Sequence, residues 1–325
     1  MLAFVELQAR LDPLGPQPRF SQGRLMVRLL AEMQSSCVAH GLKTFSGELD
    51  RTILFVVIAR ESGTLSPLSG GHASPRGDTP QAISVNALAT SLSRPFETIR
   101  RHVNALLDQG LCVRTPAGVM SPVHVYERPE IASLLRVHHD TMVRLIEDMA
   151  AFGIPLPETR PQIPYDWHTG LAAAHDVLLT SIEFHADLYV SWLDMVLLTV
   201  VMCANARPFT YDREVSLAYS DFTRLPPESM RAPVPASAIA RALGLPASTI
   251  QRRVNEMIRR GQLLRKGGGL MASEGALNGQ PAVQSSRTST DHTRQIFTRL
   301  AAGGFRFDDP ASCYLDGRPE LVAFY

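Results

Sequence analysis

The segment at 83–111 recurs at 234–262, displaced by 151 residues and without a gap. Ten of the 29 aligned pairs are identical, among them Pro95/Pro246, Thr98/Thr249, Ile99/Ile250, Arg101/Arg252, Val103/Val254, Asn104/Asn255 and Gly110/Gly261. The same displacement superposes 140–154 on 291–305, matching Asp140/Asp291, Ala150/Ala301, Ala151/Ala302 and Gly153/Gly304. Upstream, 49–59 falls on 193–203 with a displacement of 144, so the second copy has a linker seven residues longer. Three segments agreeing in the same order predict one structural unit built twice, and a chain of 325 residues has room for two.

In the second copy, Ala238, Ile239, Ala242 and Leu243 recur at helical spacing, and Gly244 is a helix stop. Pro246 opens a second helix, whose inner stripe is Ile250, Val254, Met257 and Ile258. Gly261 ends it, and the stretch 262–272 predicts a strand, a Gly-rich turn and a second strand. An apolar helix precedes each copy and an amphipathic helix closes it. The linkers 61–82 and 205–235 are rich in Pro, Gly and Ser and are expected to lack regular structure, and a third soft region, 266–290, is expected to be mobile.

Helix, turn, helix and hairpin in this order resemble a winged helix-turn-helix. The pattern Thr249, Ile250, Arg252, Val254, Met257, Gly261 and Leu263 is similar to recognition helices of bacterial regulators of the MarR, Lrp/AsnC and GntR kind. Thr98, Ile99, Arg101, Val103, Leu106, Gly110 and Cys112 repeat it. The resemblance covers about 40 residues per copy. Phe96 and Glu97 depart from it, since small or hydroxyl residues are usual there. The expected fold is mainly α with small β-hairpin wings, internally duplicated as a pseudo-dimer. The first module is placed at 1–157 with its winged helix at 83–125. The second is placed at 158–325 with its winged helix at 234–275, a C-terminal helix and a tail.

A recognition helix buries one face and offers the other to the major groove. The outer residues of the second copy are Ser248, Thr249, Gln251, Arg252, Arg253 and Asn255, with Arg265 and Lys266 leading into the wing. Those of the first are Glu97, Thr98, Arg100, Arg101 and Asn104, with Arg114 in the wing. Gln and Asn suit adenine, Arg suits guanine, and hydroxyls and cations suit phosphate. The whole chain carries a net charge of only +1, so any nucleic-acid signal must be local. Residues 241–266 carry six Arg and one Lys against Glu256, or +6; residues 90–115 carry +2. The expectation is therefore a cytoplasmic, nucleoid-associated transcriptional regulator that binds double-stranded DNA through two tandem readers. Two half-sites would lie ~34 Å apart. A homodimer and a small-molecule effector are both compatible with it. The alternative is a winged-helix scaffold for protein–protein interaction with little or no DNA contact.

The remaining features argue by exclusion. Four scattered cysteines form no CxxC pair and read as reduced, mostly buried thiols. His138 and His139 point about 100° apart on a helix, a poor geometry for one metal ion. No cofactor, phosphate-loop or hydrolase motif is present, so no cofactor and no enzymatic activity are expected; a catalytic site among the apolar helices is the weakest reading. The N-terminus lacks the pattern of a signal peptide. The apolar run 195–204, flanked by Asp194 and Asn205, is shorter than the ~20 residues a membrane span needs and reads as a buried helix. Trp167, Phe184, Tyr189, Trp192 and Met195 are read as core packing, with a ligand pocket as the alternative. The tail 308–325 is expected to dock through its aromatics or to engage a partner.

Overall fold

The computed structural model describes residues 22–63, 81–185 and 188–325. The N-terminal stretch and most of the first linker lie outside them. The described chain is mainly helical with two small antiparallel hairpins. It begins with α1 (Gly23–Thr44) and α2 (Leu49–Ser62). Two short helices follow, α3 (Val85–Ser91) and α4 (Phe96–Asp108), then strands β1 (Val113–Thr115) and β2 (Gly118–Met120). A 3-10 turn at Val123–Glu127 leads into the long helix α5 (Pro129–Ala151). The second half runs α6 (Trp167–His185), α7 (Trp192–Thr210) and α8 (Arg213–Ala218). It continues through α9 (Ala236–Leu243), α10 (Ala247–Arg259), β3 (Leu263–Lys266), β4 (Gly269–Ala272), α11 (Glu274–Asn278) and α12 (Gln280–Ala302).

Element boundaries repeat at the spacing found in the sequence. α4 and α10, and likewise α5 and α12, start and end 151 residues apart. In each half one residue outside the hairpin pairs with its second strand, Ile83 with Val119 and Val234 with Leu270. Both bridges are closed by two backbone hydrogen bonds, at 2.9 and 2.9 Å and at 3.1 and 2.8 Å. A glycine opens that second strand each time because the third segment crosses it closely. A Cβ on Gly118 would sit 2.3 Å from the Ile83 carbonyl oxygen, and one on Gly269 2.8 Å from the Val234 nitrogen.

The helices interlock across the halves. α1 packs on α5 of its own half and on α7 of the other; α6 packs on α12 and on both α5 and α2. One hydrophobic core joins α2, α7 and the two helix–hairpin segments, through Phe55, Ile99, Val103, Leu197, Ile250 and Val254. A second core fills the bundle of α1, α5, α6 and α12, through Leu25, Leu29, Ile146, Phe297 and Phe305. Each core therefore draws residues from both sides of the 157/158 boundary.

Four expectations change. The stretch 266–290 is not irregular: it completes the hairpin, forms α11 and supplies the first turns of α12. Ser273 starts α11 by accepting a hydrogen bond from the Ala276 amide at 3.1 Å. The stretch 205–235 contains the end of α7, then α8 and a 3-10 turn at Glu228–Met230. The apolar run 195–204 belongs to a 19-residue helix long and apolar enough to cross a membrane, though 67% of that stretch is buried inside the protein. The tail runs along α5 and docks mainly through polar contacts. Leu315 and Asp316 amides donate to Asp140 at 2.9 and 2.8 Å, and Arg318 pairs with Glu147 and Asp148. Arg207 then stacks on Phe324, 4.5 Å from the ring centre.

Candidate nucleic-acid interface

α10 is strongly amphipathic. Ile250, Val254 and Met257 are fully buried, which leaves the opposite stripe to solvent. Ser248, Gln251, Arg252 and Asn255 are exposed on that stripe, and Thr249 is half-buried at its start. β3 brings Arg265 beside the helix, where its guanidinium donates to Asn255 Oδ1 at 3.0 Å. Gln251 donates to the same oxygen at 2.9 Å. Arg252 has no hydrogen-bond or ion-pair partner among the described residues. Lys266 is exposed on the hairpin but is ion-paired with Glu228.

The first half assembles the same parts. Arg100, Arg101 and Arg114 are exposed, while Thr98 and Asn104 are half-buried. Arg114 donates to Asn104 Oδ1 at 3.2 Å. Helix asparagine and hairpin arginine thus meet in both halves at positions 151 apart. Here the charge is partly neutralised, because Arg100 is bonded to Glu97 at 2.8 Å within its own helix. Phe96 adds an exposed ring, 45% accessible, where α10 has Ala247.

Arg253 does not join the outer group. Its side chain is 13% exposed and turns back to the first turn of α7. There its guanidinium donates to Asp194 at 2.8 and 2.5 Å and to Ser191 Oγ at 2.7 Å. Arg260 reaches the same carboxylate at 3.3 Å. Arg253 anchors α10 to α7 rather than facing outward. His102 holds the matching position on α4. Burial lowers its pKa against the opposing pull of Asp50, the counterpart of Asp194.

Asp194 and Asn205 hold this surface in place, although in the sequence they stand out only as polar flanks of an apolar run. Asn205 is buried and clamps the second hairpin. Its amide donates to the Ala232 and Leu270 carbonyls at 2.7 and 3.0 Å, and its oxygen accepts from the Ala272 amide at 2.9 Å. Polar residues bracketing an otherwise apolar helix were the available signal, since a buried polar group requires a partner.

Elsewhere the two adjacent histidines have separate partners. His138 Nδ1 lies 3.2 Å from His175 Nε2, while His139 bridges Asp140 and the Tyr165 hydroxyl at 2.8 and 2.7 Å. No metal-binding group of His, Cys, Asp or Glu occurs among the described residues. All four cysteines are buried and free. Of Trp167, Phe184, Tyr189, Trp192 and Met195, the residues Tyr189 and Met195 line a cavity between α1, α2, α6 and α7. No protein-family model, curated protein or solved structure matches this chain.

Proposed function

We propose that the chain is an internally duplicated winged-helix protein that binds duplex DNA as a transcriptional regulator, with α4 and α10 as its two recognition helices. The observation that carries this reading is the exposed helix–hairpin cluster found twice, Asn104 with Arg114 and Asn255 with Arg265. Each cluster offers amide and guanidinium groups of the kind that read base edges and phosphates. Arg101 and Arg252 flank them on the outer faces. The interlocked helices of the two halves take the place of a dimer interface. One polypeptide then presents both readers to an asymmetric site.

The test is retention of random duplex fragments across a salt titration, with sequencing of what is kept, for wild type, Arg252→Glu and Arg101→Glu. A steep salt slope, a two-part motif and loss of one part in each variant are the expected results. No retention by wild type near physiological salt sinks the proposal.

A further inference from the structure

A cavity of about 180 Å³ is lined by α1, α2, α6 and α7, with residues of α11 and α12 beside them. Along α1 its lining extends from Arg24 to Val38, a length of about 21 Å at the helical rise. A compact cavity of about 150 Å³ accepts one benzene ring. A similar volume drawn out over ~21 Å suits a chain instead of a ring. The walls are mostly apolar, with Leu30, Ile53, Leu178 and Leu198 among them, and no carboxylate lines the cavity among the described residues.

One end is cationic. Arg24 and Arg28 leave the first turns of α1, and Arg231 adjoins Ala232, which is tied to Asn205 near the end of α7. All three are buried. Arg28 is held by neutral oxygens, donating to the Tyr219 and Ser216 carbonyls at 2.9 and 3.0 Å and to Ser216 Oγ at 2.8 Å. Arg231 donates to the Ala272 carbonyl at 2.9 Å. The Nε atoms of both are buried without a hydrogen-bond partner. Asp221 and Glu228 supply opposing charge to Arg24 and Arg231, whereas Arg28 has carbonyls, a hydroxyl and the neighbouring Arg24 but no carboxylate against it among the described residues, and a buried cation without an anion is costly. Burial and the neighbouring Arg24 bring Arg28 down to about 10, which leaves it charged at neutral pH.

We propose that this cavity binds a linear acyl carboxylate, with the carboxylate at Arg28 and Arg231 and the chain lying between α1 and α7. The head group would supply the missing acceptor for the two orphan Nε donors, and the chain would fill the apolar length. The site goes beyond the DNA reading, and its test needs no DNA.

The 325-residue chain is titrated by calorimetry and native mass spectrometry with four probes: sodium laurate, dodecanol, benzoate and lauroyl-coenzyme A. One laurate per chain is expected, bound at least about tenfold more tightly than dodecanol because of the charge-assisted hydrogen bonds. Benzoate and the thioester should bind more weakly than laurate. Arg28→Met should remove the preference for laurate over dodecanol. Thr199→Phe, which introduces a ring at a half-buried position on the cavity wall, should abolish both. The proposal is overturned by any of four results: absence of laurate binding, equal affinity for dodecanol, tighter binding of benzoate or of the thioester, or no effect of Thr199→Phe. Should Arg28→Met fail to fold, the comparison of probes on wild type still decides.

Discussion

Arg252 and Arg253 are neighbours in sequence with opposite placements, and their alanine variants should separate stability from binding. The Asp194 carboxylate is 1% exposed and receives two bonds from Arg253, at 2.8 and 2.5 Å. Removing one partner of a buried ion pair costs about 3–5 kcal/mol, because the remaining charge stays desolvated. Arg260 stays 3.3 Å from the same carboxylate and is itself one-third exposed. That residual contact puts Arg253→Ala at the lower end, about 3 kcal/mol. Arg252→Ala removes an exposed side chain without a partner and should stay within about 0.5 kcal/mol of wild type. Urea denaturation followed by far-ultraviolet circular dichroism measures both. The double variant Asp194→Ala with Arg253→Ala should lose less stability than Arg253→Ala alone, since it buries no lone charge. Equal stabilities for Arg252→Ala and Arg253→Ala would refute the anchoring role and return Arg253 to the outer face.

Three further outcomes follow from local geometry. Gly244 has φ +62° with open space around a Cβ, whereas Ser93 adopts φ 51° at the matching position. Gly244→Ala should cost about 1 kcal/mol and Ser93→Gly should gain a similar amount, read as shifts in urea midpoint. Burial brings His138 down to about 4, so the folded state keeps it neutral while the unfolded chain protonates it below its ordinary 6.5. Stability should therefore hold above pH 6.5 and fall towards pH 4, with about 2 kcal/mol lost to this group between pH 7 and 5. Unchanged midpoints across that range contradict the buried neutral imidazole. Removal of residues 314–325 strips Asp140 of two backbone donors and should lower stability by about 3 kcal/mol, measured by the same denaturation.

The repeated helix–hairpin segment was legible because its information is local. Proline and glycine punctuation set the ends of α9 and α10, and a buried stripe at helical spacing fixed which face of α10 is outside. The order of the outer residues followed from that stripe for Ser248, Gln251, Arg252 and Asn255. It failed for Arg253, whose direction depends on a carboxylate 59 positions away in sequence. The interlocking of α1 with α7 and of α6 with α2 was illegible in detail for the same reason: apolar helices do not state which neighbour covers them. Composition misled at 266–290, which holds one short helix capped by Ser273 and the first turns of the 23-residue α12, itself secured further on by packing of Ile296 and Phe297. The cationic end of the cavity left no sequence signal at all, because Arg24 and Arg28 look like the solvated face of an amphipathic helix until the second half of the chain covers them.

The two halves differ at the points that decide how firmly α4 and α10 are held and how much positive charge surrounds them. α10 is anchored by a permanent cation, Arg253 on Asp194; α4 carries His102 in that place, and burial lowers its pKa. α10 lies within a region of charge +6, α4 within a region of +2 with Arg100 engaged by Glu97. Affinity for duplex DNA falls with salt in proportion to the number of phosphates neutralised, with a slope of about 0.9 per contact. Under the proposed function the second half therefore supplies most of the salt-dependent affinity and the first half adds register. Arg252→Glu should flatten the salt slope by about one contact or more, and Arg101→Glu should shift the preferred sequence with a smaller loss of affinity. Filter binding across a salt series, on a duplex carrying both half-sites, separates the two effects. Equal losses from the two variants would mean that the charge difference between the halves does not reach the DNA, and that the readers act as equals despite their different anchors.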